Sequence, residues 1–417
     1  MTSVAHQDWF KQAGLKQVME LLNGNGGEAR VVGGAVRNAL MDMDISDVDI
    51  ATTLTPDEVI ARAKAASVKF VPTGYDHGTI TLIVGGEPFE VTTLRQDIET
   101  DGRHAQVRFG KDWSEDAKRR DLTINALYVD VNGDVVDLVD GMKDIETRTV
   151  RFIGDATTRI AEDHLRILRF FRFFAFYGSG RPDADGLRAS ARAKDSISSL
   201  SAERVWSEMK KLLSAPDPSR ALLWMRQAGV LNVVLPETEK WGIDAIHSLN
   251  ETEKLLGWET DPLLRLAAII PPDVERVKEL AKRLRLSRKE ELYLRAWTEV
   301  SAIDSGIAGT VLDRLIYREG KDGVVLWLKL ALASARASHD GSSEAIIKVA
   351  GFSNLLARAE KFEAPSMPVS GADVIATGVQ PGPEVGRVLS LVEDKWVNSN
   401  FSFGRDRLLS EIAQITQ

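Results

Sequence analysis

The spacing of apolar residues changes near residue 150, and that change constrains the fold more than any other feature of the chain. Before it, short β-branched or alternating runs are separated by turn residues. ARVVGG and DVDIATTL read as strands, and TITLIVGGEPFEVTTL reads as a hairpin joined by Gly85-Gly86-Glu87-Pro88. NALYVDVNGDVVDLVDG reads as a strand pair turned at Asn132-Gly133. Two helices interrupt them, an amphipathic one filling residues 1–28 and DEVIARAKAA. After residue 150 the period is helical almost throughout. TRIAEDHLRILRFFRFFAFYG reads as one long helix, and SAERVWSEMKKLL as another capped by Ser201. The expected fold is α+β: a head of mixed β-sheet and helices over 1–150, then an all-α neck (151–215), body (216–360) and tail (361–417). The two prolines of EKFEAPSMPV mark a linker before the tail. Between Arg95 and Ala117, RQDIETDGRHAQVRFGKDWSEDA has no period and reads as a long, mobile functional loop.

Composition narrows the chemistry. The 417 residues contain no cysteine, which excludes disulfides, thiolate-bound zinc and thiol nucleophiles. No run of about 18 apolar residues suggests a membrane span. The first residues, MTSVAHQDWF, lack the basic-then-apolar pattern of a secretory leader, so a cytoplasmic protein is expected. The net charge of −8, from 61 acidic and 53 basic side chains, argues against a surface coated in nucleic acid. It leaves room for one basic groove, because the field in a cleft is set by local charge.

Four short stretches carry candidate chemistry. In DVDIAT, Asp47 and Asp49 are two apart, so in a strand both carboxylates project from one face and repel unless a cation lies between them. Hard oxygen ligands suit Mg²⁺. A DxD alone also describes a solvated turn. Glu90, on the second arm of the predicted hairpin, is either a third carboxylate of this site or an outward residue paired with Arg95 or Lys69. In VVGGAVRNAL a strand runs through Gly33-Gly34 into a helix carrying Arg37. Glycines let a backbone approach phosphate, and helix N-terminal amides attract anions, although a plain turn has the same pattern. The spacing matches neither a dinucleotide fingerprint nor a P-loop. In RRDLTINA, Arg119 and Arg120 precede an apolar run. In EDHLRILRFFR, Asp163, Arg166 and Arg169 share a helical face, with Arg172 continuing the row and Glu162 four residues before Arg166. The ordinary reading is a surface helix laced with ion pairs. Against it, the intervening Leu165, Ile167, Leu168, Phe170 and Phe171 leave little free surface, which points to an anionic ligand.

Together these stretches resemble class II nucleotidyltransferases, the family of CCA-adding enzymes and bacterial poly(A) polymerases. VVGGAVRNAL is similar to the family's G-G-x-V-R-[DN] motif, DVDIAT to its metal-binding D-x-D, and RRDLTINAL and EDHLRILRFFRF to its two later nucleotide-site motifs. GDATTRI and SAERVWSEMKKLL resemble its neck. The motifs stand in family order over residues 30–215.

The resemblance implies two Mg²⁺ ions on Asp47 and Asp49, with Glu90 at the third acidic strand position. It implies a triphosphate held by Gly34, Arg37 and one of Arg119 and Arg120, of which Arg120 is favoured. It also implies that Asp163 and Arg166 serve as an amino-acid template for the incoming base. Chemistry supports such a pair. Cytosine and adenine each present an amine donor beside a ring-nitrogen acceptor, matching a carboxylate and a guanidinium, whereas uracil and guanine present the reverse. The expected substrates are CTP, ATP and the tRNA 3′ end, with no protein partner legible. Tyr75-Asp76-His77-Gly78-Thr79-Ile80 resembles an element of CCA-adding members, and the G-R-[RK]-F element of the poly(A) branch is absent. CCA addition is therefore the first reading. Poly(A) synthesis, CC-only or A-only addition, and a non-catalytic RNA-binding role are the alternatives. Beyond residue 200 the only histidines are His247 and His339, so the metal ligands of an HD phosphohydrolase domain are missing and Ser338-His339-Asp340 reads as a solvated loop. Lys278–Arg285 and PGPEVGRV are candidate tRNA contacts.

Overall fold

The computed structural model describes residues 2–100, 105–239, 243–338 and 341–416, and for 96–100 and 105–108 it describes the backbone only. The chain divides into two compact units, Met1–Pro236 and Glu237–Gln417.

The first unit is built on a seven-stranded mixed sheet. Its strands are β1 (Ala29–Val32), β2 (Asp49–Thr52), β3 (Lys69–Gly74), β4 (Thr79–Val84) and β5 (Glu87–Thr93), with a later pair described below. β4 and β5 form the predicted hairpin, but the turn is only Gly85-Gly86, because Glu87 and Pro88 already pair with Val84 and Ile83. β6 (Arg95–Thr100) and β7 (Ala105–Phe109) form a separate two-stranded ladder. The segment expected to be a structureless loop is thus a β-hairpin arm followed by a helix. RQDIET and AQVRF are too polar in sequence to show a strand alternation. β8 (Leu127–Val129) and β9 (Val135–Asp137) complete the main sheet, whose order is β3-β4-β5-β2-β1-β8-β9. Only β2 and β5 run parallel; every other neighbouring pair is antiparallel.

Helices α1 (Ala13–Leu22), α2 (Gly34–Leu40), α3 (Pro56–Ala65), α4 (Trp113–Arg119) and α5 (Gly141–Glu146) accompany the sheet. α1 is shorter than the 1–28 segment expected to form it. The apolar stripe of Leu15, Val18, Met19 and Leu22 is fully buried, but nothing equivalent extends it upstream. α3 has both halves of a capping box between Thr55 and Glu58, with Pro56 in the first turn.

Six further helices follow in this unit: α6 (Ala156–Glu162), α7 (Leu165–Tyr177), α8 (Ala184–Arg192), α9 (Ala202–Leu213), α10 (Ser219–Gln227) and α11 (Val230–Val234). The long helix expected over Thr158–Gly178 is broken. Asp163 is extended, with φ −153° and ψ 108°, and its carboxylate accepts the backbone N–H of Leu165 at 3.1 Å. A side chain that bonds its own backbone two residues on competes with the helix. Asp163 therefore precedes α7 and does not share its face with Arg166 and Arg169. Ser201 does stand at the N-terminus of α9, but its hydroxyl makes no capping bond.

The second unit is helical: α12 (Ala245–Leu256), α13 (Pro262–Ile269), α14 (Val274–Leu284), α15 (Arg288–Thr298), α16 (Gly309–Glu319), α17 (Lys321–Ala337), α18 (Ser343–Lys361), α19 (Gly371–Ala376), α20 (Pro383–Asn398) and α21 (Arg405–Thr416). One apolar core lies between α16, α17 and α18 around Leu312, Val324 and Leu328, another between α20 and α21 around Val392, Trp396 and Leu408, and α12 to α15 bury Leu249, Leu264, Leu280 and Trp297. No helix among the described residues is long and apolar enough to cross a membrane. His339 and Asp340 lie outside the described residues.

Candidate active site

One row of paired residues across the sheet organises the site. Tyr128 on β8 pairs with Val32 on β1, Val32 with Asp49 on β2, and Asp49 with Glu90 on β5. Residues in one row of a sheet are within side-chain reach of each other. Val32 is the last residue of β1, so Gly33 and Gly34 begin directly beside Asp49. Gly33 has φ 77° and ψ −121°, a conformation that a side chain would strain, and it turns the chain sharply into α2. The nearest charged atoms to the open sides of Gly33 and Gly34 are guanidinium nitrogens: Arg120 Nη1 at 3.9 Å from a Cβ built on Gly33, and Arg37 Nη2 at 3.8 Å from one built on Gly34.

The carboxylates gather at this end of the sheet. Asp49 and Glu90 are both exposed. Asp47 is exposed too, but it lies just before β2 in non-strand backbone, so strand alternation does not set its direction. Its Oδ2 accepts from the Ser46 hydroxyl at 3.0 Å. Partial desolvation raises the Asp49 carboxyl above its ordinary range. The charge of Glu90 adds to this, that of Arg120 opposes it, and Asp47 adds a smaller push. Three like charges crowded in this way favour a bound cation. Among the described residues no three acidic or imidazole side chains enclose an ion by themselves. Such a set suits a hard cation that keeps water and substrate phosphate as its remaining ligands.

The arginines divide into paired and unpaired. Asp116, almost wholly buried, accepts from Arg119 Nε at 2.8 Å, Arg120 Nε at 3.2 Å and the Tyr128 hydroxyl at 2.8 Å. Burial would raise the Asp116 carboxyl, but the two guanidinium charges outweigh it and hold it below its ordinary range. Of the two arginines, Arg120 is the one beside Gly33 and felt by Asp49. Arg169 binds Asp121 through Nε at 2.6 Å, and Arg172 binds Glu208 at 3.2 Å. Arg37 differs. The sequence puts it on the first turn of a helix, where an arginine is ordinarily solvated, yet it is only 7% exposed. Its partners are neutral: Asn125 Oδ1 at 2.5 Å, Asn38 Oδ1 at 2.8 Å and the Tyr177 hydroxyl at 2.7 Å. Burial pushes its guanidinium below the usual range.

A second cluster surrounds the break between α6 and α7. Glu162 accepts from both Arg166 and Arg159, and Arg166 also donates to the Arg159 carbonyl at 2.7 Å. Arg159 reaches on to the carbonyls of Arg119 and Arg120, joining this cluster to the arginine pair. The second oxygen of Asp163 accepts from Arg204 of α9 at 2.7 Å. Asp163 and Arg166 therefore flank the start of α7, each steered by a separate partner and each half-buried.

Sequence reasoning missed several of these residues. Asp121 and Asn125 lie within RRDLTINA, and Asn125 links Arg37 to Asp121 through its amide, donating to Asp121 Oδ1 at 3.2 Å. Arg159, Tyr177 and Arg204 give no local signal, because these bonds to Arg119 and Arg120, to Arg37 and to Asp163 span 39 to 140 residues of chain. In the second unit, Lys282, Arg283 and Arg285 of the basic run are exposed, although Arg283 is held by Glu237 at 2.7 Å. Arg387 in PGPEVGRV is bonded to Glu384.

Comparison with known proteins agrees with this arrangement. Residues 29–151 match the model of the poly(A) polymerase head domain, and residues 183–241 match that of the probable RNA and SrmB binding site of polymerase A. The chain is 33% identical over 413 residues to the mitochondrial CCA tRNA nucleotidyltransferase 1 of Danio rerio, covering 96% of this chain and 90% of that protein. It is 30% identical to the CCA-adding enzyme of Streptococcus pneumoniae (strain CGSP14), covering 94% of each. The fold is that of the Bacillus stearothermophilus CCA-adding enzyme solved in complex with CTP, with a TM-score of 0.76 at 24% identity over 100% of this chain and 98% of that one. The chain belongs to the family of CCA-adding enzymes, the CCA tRNA nucleotidyltransferases.

Proposed function

We propose that this protein adds two cytidylates and one adenylate to the 3′ end of tRNA without a nucleic-acid template. The observation that carries this reading is the row Val32–Asp49–Glu90, which sets the acidic cluster against the Gly33-Gly34 turn and Arg120. Acid and cation on opposite sides of a backbone turn suit a triphosphate reacting at its α-phosphorus. The RNA 3′ oxygen bonds to that phosphorus while the bond to pyrophosphate breaks, and the hydroxyl proton leaves to solvent.

Enzymes of this family generally use divalent metal ions. Here Asp47 and Asp49 would hold Mg²⁺, with Glu90 beside them as the third acidic group. When bound, the metal favours the ionised 3′-hydroxyl and offsets charge on the departing pyrophosphate. Arg37 and Arg120, with the Gly33-Gly34 backbone between them, take the triphosphate; Arg119 serves through Asp116. Asp163 accepts from the exocyclic amine of cytosine or adenine, and Arg166 donates to the adjacent ring nitrogen. Glu162 holds Arg166, while Arg169 and Arg172 fix α7 through Asp121 and Glu208. Uracil and guanine would leave both readers facing like partners, at about 1–3 kcal/mol for each unmatched group. The head over 1–150 would carry the chemistry, the neck over 151–215 base selection, and the body and tail, 216–360 and 361–417, tRNA binding. A cytoplasmic location fits the absence of cysteine.

Product length tests the reading. Given a tRNA lacking its terminal CCA, the protein should add two residues with CTP alone and three with CTP and ATP. Long adenylate tails from ATP alone would assign it to poly(A) synthesis, and no product with any nucleotide would sink the enzymatic reading.

A further inference from the structure

The end of α7 surrounds one phenyl ring with three guanidinium groups. Arg37, Arg169 and Arg172 lie 5.4, 5.4 and 4.5 Å from the centroid of Phe173. Two carboxylates answer them, Asp121 on Arg169 and Glu208 on Arg172. Among the described residues Arg37 has no carboxylate bonded to it, and Asp121 reaches it only at a distance, through Asn125. A buried charge without a counter-ion is costly, and neutral hydrogen bonds recover only part of its lost hydration.

Tyr177 contributes both a ring face and a hydroxyl to those neutral contacts. Its ring lies under the guanidinium, 3.9 Å from carbon to centroid, and its hydroxyl oxygen accepts from Nη2 at 2.7 Å. Phe173, one turn earlier on α7, stacks on the same tyrosine at 5.7 Å and fixes its ring. Asn125 and Asn38 hold the other edge. Carboxylates in these places would have neutralised the arginine. An aromatic face and three amide or phenol oxygens immobilise it while leaving its charge available.

We infer that Tyr177 is a positioning residue for the triphosphate: it holds Arg37 in place without a directly bonded carboxylate, so that the β- and γ-phosphates, or free pyrophosphate, supply the anion in contact with it. This inference rests on the proposed role of Arg37. Tyr177 touches no base-reading group, so it governs how tightly any nucleotide binds and not which one is chosen.

The test compares Tyr177→Phe, which removes only the hydroxyl, with Tyr177→Leu, which also removes the aromatic face. The readouts are kcat and KM for CTP and ATP on tRNA lacking CCA, together with inhibition by inorganic pyrophosphate. Tyr177→Phe should raise KM for both nucleotides and the inhibition constant of pyrophosphate together, by about threefold. Tyr177→Leu should raise all three by about tenfold or more, because the stacking is lost as well. In both variants kcat and the preference for C and A over U and G should be unchanged. Unchanged KM and unchanged pyrophosphate inhibition would overturn the inference, as would a fall in kcat at constant KM. Arg37→Ala, measured in parallel, separates the two levels. If it leaves KM and pyrophosphate inhibition alone, the triphosphate role of Arg37 itself is wrong. If it raises both while neither Tyr177 variant does, only the role of Tyr177 is wrong.

Discussion

Glu90 stands directly across from Asp49 in the parallel pairing of β2 and β5. Two residues 41 positions apart are thereby neighbours in a place where their charges oppose each other. The register is enforced from below: Ile50 pairs with Val91, both fully buried, and a one-residue slip would turn those side chains to solvent. The core thus holds together a carboxylate pair that would otherwise separate.

A repelling cluster weakens the metal-free protein. Because the Asp49 carboxyl is raised, its charged form is disfavoured in the folded state. The penalty is present at neutral pH and relieved as pH falls through the raised value. Asp49→Asn should therefore melt slightly above the wild type in chelator at pH 7, with the difference vanishing in acid. Added Mg²⁺ should raise the melting temperature of the wild type and not of the variant. Asp47→Ala and Asp49→Ala should each abolish nucleotide addition while keeping the fold by circular dichroism. Near-wild-type addition in either would remove the metal assignment.

The Asp121–Arg169 pair behaves in the opposite sense. Burial alone would raise the Asp121 carboxyl, but Arg169 and the bonds from Asn125 and the Leu122 N–H hold it below its ordinary range. A lowered carboxyl contributes stability that is complete above the unfolded value and lost as pH falls through the folded one. Asp121→Asn should destabilise the protein at pH 7 by up to about 3 kcal/mol, since Arg169 keeps part of its side chain in water. The gap to the wild type should begin to narrow only below about pH 4 and close once pH has passed the depressed folded value. Denaturant melts at pH 7 and at a series of pH values from about 4 downward would show this, and a gap that never narrows over that range would mean that the ion pair is not its source.

The arm of β6 and β7 joins the sheet at its base, where Phe109 approaches Gly78 and Arg95 donates to the His77 carbonyl at 3.1 Å. We propose that this arm acts on the step from C to A addition. Replacing residues 96–108 by a short Gly/Ser linker should reduce A addition by about tenfold or more while sparing C addition. Equal losses in both steps would give the arm a purely structural part.

Much of the fold was legible because alternation and helical period are local properties. The β4–β5 hairpin and the helices of the second unit follow from them. The β6–β7 arm did not, because RQDIET and AQVRF have no apolar alternation to read. The break at Asp163 was also missed: EDHLRILR keeps its helical spacing in sequence, and only the carboxylate bond to Leu165 N–H interrupts it. At the site, the residue types in VVGGAVRN and DVDIAT pointed to phosphate and metal. Their supports were invisible, because Tyr177 lies 140 residues from Arg37 and Arg204 lies 41 from Asp163. Pairings at such distances are set by packing and leave no local trace.

The central claim is that this chain reads the base with one set of residues and holds the triphosphate with another. The most direct test is kcat/KM for CTP, ATP, UTP and GTP in Asp163→Ala, Arg166→Ala and Arg37→Ala. The account predicts that Asp163→Ala and Arg166→Ala lose C and A incorporation and narrow the gap to U and G, by about tenfold or more. Arg37→Ala should weaken all four nucleotides alike. If Asp163→Ala instead lost activity evenly and kept its preference for C and A, Asp163 would be only a structural residue at the head of α7, and the separation of base reading from phosphate binding would be contradicted.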